Sequence, residues 1–336
     1  MDSVQTRLWV DGVLKTQDFP LSEVSAHLNQ EHGLVWVDMC NPDHGVVCDL
    51  AAELGFDRHA VEDVVERGER TKATRYANHT FLTVYATALG PVPENDLQSR
   101  LKTARVSIFV LENALVSVRH EIDPQQPVFD IEEVVRRWDD NSDLLRLGSP
   151  ALLHGMLDVI VDGQFDTIQQ LDDAIESLED GLFDDKAQTR KIQRDTYRLR
   201  KELVELRRIV LPMREVINTI MRRHAERTGT VELDSWYSDL YDHCIRAAEW
   251  TESLRDMITT VFETNLSLQD ARLNTIMKKL TGWAAIIAVP TAVTGWYGQN
   301  VPYPGFNTTA GVIASAAIIL VTSAVLYVAF KRRGWI

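Results

Sequence analysis

A short polar turn lies between two apolar segments near the end of the 336-residue sequence, and it reads Tyr297-Gly298-Gln299-Asn300. The turn offers two carboxamides and the backbone carbonyls of a chain that leaves a helix. Oxygen groups of this kind can hold a hydrated cation through its water shell. This suits magnesium, because that ion dehydrates reluctantly and demands octahedral oxygen geometry. The turn therefore predicts an ion-binding mouth formed by Gly298, Gln299 and Asn300.

Small or weakly polar residues precede the mouth at spacings of three and four, which places them on one face of a helix. This stripe comprises Met277, Leu280, Ala284, Ala288, Thr291 and Gly295, and it continues to Gly298. From composition alone, a face for packing against other membrane helices is as good an interpretation as the wall of a pore, because small residues let helices approach closely. The mouth that follows the stripe favours the wall of a cation path.

Roles along such a path follow from side-chain chemistry. Asn274 and Thr291 are predicted to form polar rings, and Met277 and Leu280 a hydrophobic constriction. An apolar ring narrower than a hydrated ion blocks that ion by dewetting until the ring widens. Two helices cannot enclose a pore, so this interpretation requires a homo-oligomer.

Two apolar segments are long enough to cross a lipid bilayer. Residues 281–330 include no Asp, Glu, Lys, Arg or His, and segments 280–297 and 310–330 contain 18 and 21 residues. At about 1.5 Å per residue each spans a hydrocarbon core roughly 30 Å thick. Basic residues flank their outer ends at 278–279 and 331–333. This predicts a multi-pass protein of the plasma membrane with both termini and the basic tail 331–336 in the cytoplasm, and loop 298–309 outside.

Composition narrows the class of protein further. The net charge of −14 argues against a nucleic-acid partner and favours cations. Cys40, Cys48 and Cys244 have no metal-ligand or disulfide spacing, which is typical of reduced cytoplasmic thiols. No signal peptide is expected from the first residues. The sequence has no metalloprotease histidine motif, phosphate loop or nucleophile elbow, so an enzyme is not expected.

The pattern of residues 1–150 predicts a cytoplasmic α+β domain of α/β character. The strands are expected in a hairpin at 7–15 around Asp11-Gly12 and at 34–38, 80–89, 104–111 and 114–119. Helices are expected at 44–55, 59–67 and 128–138.

Residues 151–232 predict a helical hairpin, with an acidic helix at 152–183 packed against a basic helix that Pro212 interrupts. A third helix follows as a stalk over 233–279 and continues into the membrane. Its seven-residue seam comprises Leu240, Ala247, Leu254, Val261, Leu268 and Thr275. The seam can pack against the hairpin or against other copies, and we expect both contacts.

These features together resemble the CorA family of magnesium and cobalt transporters. The family signature is Gly-Met-Asn, whereas this chain has Gly298-Gln299-Asn300, and Pro302 stands where the family often has an acidic residue. Ala288 stands where the family often has a bulky Met above the constriction, which implies a shorter gate. The resemblance implies a funnel-shaped homopentamer that transports magnesium, with cobalt, nickel or zinc as further ions. The zinc-transporting branch also varies the middle signature residue.

Two charged segments extend the resemblance. Glu62-Asp63 is followed by Arg70, Lys72, Tyr76 and Phe81, and the third helix contains Asp239-Leu240-Tyr241-Asp242-His243. The resemblance implies that Asp63 and Asp239 of neighbouring subunits hold a regulatory cation, with Asp242 in the same candidate metal site. From the sequence without this resemblance, Glu62 and Asp63 would be interpreted as two solvated carboxylates on a helix.

A second class of function is a membrane-anchored scaffold or signalling protein, whose apolar helices would only tether the acidic domain. Such a tether needs neither a mouth motif nor a polar residue such as Thr291 in mid-membrane.

Overall fold

The computed structural model describes residues 3–66, 68–91, 98–182, 189–227, 231–299, 302 and 304–336. The chain divides into two compact units, Met1–Val261 and Phe262–Ile336. The boundary between them falls inside one long helix.

The first unit is built on a mixed sheet. Among the described residues, seven strands form it in the order β2-β1-β3-β7-β6-β5-β4. Their bounds are β1 Ser3–Val10, β2 Val13–Gln17, β3 Gly33–Cys40, β4 Lys72–Arg75, β5 Thr80–Leu89, β6 Leu101–Val110 and β7 Ala114–His120. All neighbouring strands pair antiparallel except β3 and β7, which pair parallel.

The turn residues of the first hairpin explain why it was predictable. Asp11 and Gly12 both have positive φ, at 53° and 79°, as a two-residue hairpin turn of the favoured twist requires. Strand β4 was not predicted, because its sequence KATR lacks an apolar alternation and its pairing with β5 supplies the extended conformation.

The helices of the chain are α1 Val24–Leu28, α2 His44–Leu54, α3 Arg58–Val65, α4 Ile131–Asp140, α5 Ser149–Leu182, α6 Thr189–Val210, α7 Met213–Arg227, α8 Val231–Tyr297 and α9 Thr309–Arg332. Short 3-10 turns occupy Leu21–Glu23 and Ser142–Leu147. The predicted start of α4 at residue 128 is wrong by three residues. Asp130 caps the helix by accepting hydrogen bonds from the amides of Glu132 and Glu133 at 3.0 and 3.1 Å.

Both faces of the sheet are covered, which explains why β3 is buried along its whole length. Trp36 of β3 and Trp9 of β1 meet Trp138 of α4 edge-on, with ring centroids 4.9 and 5.9 Å apart. Val35 and Val37 point to the opposite face, in the cluster that includes residues of α2 and α3. The alternation of a β-strand thus divides one apolar segment between two cores.

The helical part follows the predicted order. Helix α5 packs on α6, and the break expected at Pro212 lies between Val210 and Met213. Helix α8 contains 67 residues, so the predicted stalk and first apolar segment form one continuous helix. The first four positions of the seam, Leu240, Ala247, Leu254 and Val261, are buried within the chain. Leu268 is half-buried and Thr275 exposed.

Within the described residues, two helices are long and apolar enough to cross a membrane. They are α8, through its apolar end, and α9, and their mean hydropathies are 1.3 and 2.4. Almost none of either apolar window is buried by the rest of the chain. The predicted α+β domain, long helix and two apolar helices that follow it are therefore confirmed.

Candidate cation path and metal-binding residues

The last third of α8 has two distinct faces. All the predicted path residues of the helix are exposed, namely Asn274, Met277, Leu280, Ala284, Ala288, Thr291 and Gly295. By contrast, Gly282 is buried, and Ala285, Ile286, Val289 and Val293 are half-buried. Trp283 lies 6.5 Å from Tyr327 of α9, measured between ring centroids. The stripe thus lies within the part of α8 that its own chain leaves uncovered, which also includes Trp283, Ile287 and Trp296.

Two hydroxyl groups and a proline modify the backbone in the middle of this apolar segment. Thr291 and Thr294 donate hydrogen bonds to the carbonyls of Ile287 and Pro290 at 3.3 and 2.8 Å. Pro290 lies inside the helix and has no N–H to give to the carbonyl one turn earlier. Pro290 was not predicted as part of the path, although a proline in an apolar helix frees a backbone carbonyl that needs another partner.

The mouth begins where α8 ends. The amides of Gly298 and Gln299 donate to the carbonyls of Thr294 and Trp296 at 2.8 and 3.3 Å. A Cβ at Gly298 would lie 2.9 Å from the Thr294 carbonyl oxygen, so any other residue would force the backbone of the turn to shift. Gly298 and Gln299 are both exposed. Asn300, the third predicted ligand, lies outside the described residues.

A second glycine contact holds the segment after the mouth. The Gly305 carbonyl approaches Gly311 so closely that no side chain could fit at Gly311. Thr308 caps α9: its hydroxyl donates to the Gly305 carbonyl at 2.8 Å and accepts from the Gly311 amide at 3.2 Å. The return of the chain to α9 is therefore fixed by local contacts.

Asp63, in the last turn of α3, already has a cationic partner. The Lys72 ammonium lies 2.8 Å from Asp63 and 2.6 Å from Glu69, and each of the two carboxylates is about one-fifth exposed. Burial acts to lower the pKa of Lys72, but the hydrogen bonds and charges of Asp63 and Glu69 together raise it. A divalent ion on Asp63 would have to compete with this lysine.

A buried arginine fixes the end of the helix that carries Asp63. The Arg105 guanidinium donates to the carbonyls of Val64 and Glu66 at the end of α3, where helix carbonyls have no partner within the helix. His120 lies 3.3 Å from Arg105. Burial, and then the charge of Arg105, lowers the pKa of His120 to about 4. The histidine is therefore neutral at physiological pH, and its ring places no second positive charge beside the guanidinium that caps the helix.

Asp239 is in a different situation. Its side chain is three-quarters exposed, and its carboxylate lies 3.7 Å from Nε2 of His243, one turn further along α8. Asp242 is exposed as well. The structure of one chain does not bring Asp63 and Asp239 together, so their pairing between subunits stays a prediction.

The structure assembles a group of candidate metal ligands that the sequence analysis missed. Ligand atoms of Asp158, Asp162 and His243 all lie within 4.8 Å of one another. Arg137 of α4 binds both carboxylates, at 2.8 Å in the case of Asp162. Burial acts to lower the pKa of Arg137, but hydrogen bonds to Asp162 and Glu133 and the charge of Asp158 raise it. The sequence signal for this group was the spacing of the two aspartates along one face of a helix. His243 joins them only in the folded chain, because it belongs to another helix.

Comparison with known proteins shows the family of the chain. The family described as CorA-like Mg2+ transporter protein matches residues 31–332. The chain belongs to this family. Among its CorA relatives, the cobalt/magnesium transport protein CorA of Thermotoga maritima is 27% identical over 287 residues, which cover 84% of this chain and 77% of the relative. The zinc transport protein ZntB of Yersinia pseudotuberculosis is 27% identical over 281 residues, covering 80% and 77% of the two chains.

Solved structures share the CorA fold along nearly the whole chain. The complete structure of the CorA magnesium transporter from Methanocaldococcus jannaschii has a TM-score of 0.74 at 22% identity, covering 99% of this chain and 98% of that one. The full-length CmaX protein has a TM-score of 0.67 at 16% identity, covering 97% and 98%. At these identities the similarity shows the fold.

Proposed function

We propose that this chain is one subunit of a homopentameric, channel-like transporter that carries divalent cations across the plasma membrane, with magnesium as its main ion and cobalt as a second. The observation that carries the proposal is the difference between the two faces at the end of α8. One face packs within its own chain, and the other presents an uncharged stripe that leads to Gly298 and Gln299. Five such stripes around an axis would form a path wide enough for a hydrated ion.

The chemistry of the stripe favours an ion that keeps its water. No residue between 281 and 330 is charged, so the path offers only amides, hydroxyls and carbonyls. These groups interact with the outer surface of a water shell, and they bind weakly enough for the ion to leave. Magnesium holds its water more firmly than calcium does and suits such a path. Asn300 would provide the amide oxygen at the outer end.

Gating would occur at Met277 and Leu280, whose side chains are 57% and 62% exposed within one chain. In the oligomer these side chains would face the axis and exclude water from a narrow ring. Cytoplasmic magnesium bound between Asp63 of one subunit and Asp239 of the next would hold the ring closed. The lysine at Asp63 makes this site weak, as a sensor of millimolar magnesium must be. Loss of the ion would let the carboxylates repel and the constriction widen.

Zinc is the second candidate ion. Gln299 replaces the family's methionine, and proteins named for zinc transport are among the relatives. The Asp158, Asp162 and His243 group also includes an imidazole, which zinc accepts more readily than magnesium does.

Uptake by proteoliposomes that contain the purified protein tests the proposal. Magnesium, cobalt, nickel and zinc are compared at equal concentration, with empty liposomes as the control. We expect magnesium uptake that cobalt shares. Zinc uptake without magnesium uptake would favour the second candidate, and uptake of none of the four would indicate a membrane-anchored scaffold.

A further inference from the structure

The end of α9 folds back through a specific turn. Gly334 has a φ of +66°, its amide donates to the Lys331 carbonyl at 3.2 Å, and the Trp335 amide donates to the Phe330 carbonyl at 2.9 Å. These two bonds and the left-handed glycine define a Schellman motif. The hydrophobic contact that usually accompanies the motif is present, since the Trp335 ring stacks on Phe330 with centroids 5.3 Å apart and planes 6° apart.

This turn places Ile336 against α8. A Cβ built on Gly282 would lie 3.2 Å from both Cγ1 and Cδ1 of Ile336, and 3.7 Å from the Phe330 ring. Gly282 is buried, whereas Thr281, Trp283 and the residues of the stripe are exposed. Because Gly282 has no side chain, Ile336 packs directly against this position of α8, which we call the seat.

The seat lies directly behind the proposed constriction. Gly282 follows Leu280 by two residues, which at 3.6 residues per turn is about 200° around the helix. Leu280 thus lies on one side of this helical turn, and Ile336 packs against the opposite side. A helix supported on one side by a packed side chain cannot move its other side without changing that contact.

We propose that Gly282 and Ile336 are positioning residues for the gate: the folded-back end of α9 supports the turn of α8 that carries Leu280, and so sets how far the constriction can widen. This inference rests on the proposed transport function. It predicts that loosening the contact lets α8 move away from the axis. More internal magnesium is then needed to close the path.

A cysteine pair tests the contact itself. Because Cγ1 of Ile336 lies within bonding reach of a Cβ at position 282, Gly282→Cys and Ile336→Cys together should form a disulfide under mild oxidation. The readout is the loss of two maleimide-reactive thiols relative to the reduced protein, with each single cysteine variant as a control. Unchanged reactivity of both thiols after oxidation would show that the contact does not exist.

A double-mutant cycle tests the positioning role through the internal magnesium concentration that halves uptake. Ile336→Ala leaves space at the seat, and Gly282→Ala crowds Ile336, whose Cγ1 and Cδ1 would lie 3.2 Å from the new Cβ, so each should raise that concentration by about threefold or more. The added methyl group fills part of the removed volume, so the double variant should lie closer to the parent than either single variant. Gly45→Ala, at an open helix position, and Ile313→Ala, at a position exposed within one chain, should leave the value unchanged.

Shifts no larger than those of the two controls, or shifts that simply multiply in the double variant, would overturn the proposal. If the parent protein itself takes up no ion, the transport function fails and the positioning role fails with it. The cysteine pair then still reports separately on whether the contact exists.

Discussion

Charges are used in opposite ways in the two units of this chain. In the first unit, two fully buried carboxylates have fixed counter-charges: Asp38 pairs with Arg119 at 2.7 Å, and Glu202 pairs with Arg100 at 3.0 Å. In the second unit, residues 281–330 carry no charge at all. A buried charge needs a permanent partner to offset its desolvation. A path for a moving cation needs the reverse, because a fixed opposite charge would hold the ion too firmly for it to leave.

The largest effect is expected at the mouth. Asn300→Ala removes the amide oxygen best suited to the water shell of the ion, so magnesium uptake should fall to the level of empty liposomes while the oligomer still assembles. Thr309→Ala, at an exposed position at the start of α9, is the matched control and should transport normally. Normal uptake by Asn300→Ala would remove this residue from the path.

The next effect concerns the fixed pairs of the first unit. Asp38→Ala leaves the Arg119 guanidinium buried without its carboxylate, which should cost about 3–5 kcal/mol of stability. The measurement is thermal unfolding of the full-length protein in detergent. The double variant Asp38→Leu with Arg119→Met removes both charges and should be more stable than Asp38→Ala alone. If Asp38→Ala were as stable as the parent, the carboxylate of Asp38 would not be needed to offset the buried charge of Arg119.

A smaller effect is expected at the proposed regulatory pair. Asp63→Asn with Asp239→Asn keeps size and polarity but deletes the charge, so the protein should assemble normally and need several-fold more magnesium for protection from limited proteolysis. Asp256→Asn, an exposed aspartate of α8 outside the proposed site, is the control. Protection over the same magnesium range as the parent would place the sensor elsewhere, with the Asp158, Asp162 and His243 group as the next candidate.

The smallest effect is a pH dependence at His120. Its folded-state pKa is about 4 and its ordinary value is 6.5, so the unfolded chain takes up a proton first as the pH falls. The contribution of His120 to stability is complete above pH 6.5 and is lost progressively down to about pH 4. The unfolding temperature of His120→Gln should therefore fall less steeply over this range than that of the parent. His32→Gln, at an exposed histidine, should match the parent.

Features encoded in local spacing were predictable from the sequence. The hairpin at Asp11-Gly12 follows from turn chemistry, and the continuity of α8 follows from a repeat that carries directly into an apolar segment. Features made by packing were not predictable. Asp162 and His243 belong to different helices, and no pattern in either helix indicates that they meet. The seat at Gly282 likewise depends on the turn after α9, which brings Ile336 back to it.

Two alanines three residues apart distinguish whether the uncovered face of α8 or its packed face lines the proposed cation path. Ala288 is on the exposed stripe and Ala285 is half-buried on the other face. Each is replaced by cysteine and treated with a charged, water-soluble methanethiosulfonate reagent during magnesium uptake, with the parent protein as a control for its own cysteines. We predict that modification blocks uptake by Ala288→Cys and leaves Ala285→Cys at the parental rate. Block of Ala285→Cys with no effect on Ala288→Cys would show that the stripe does not line the path.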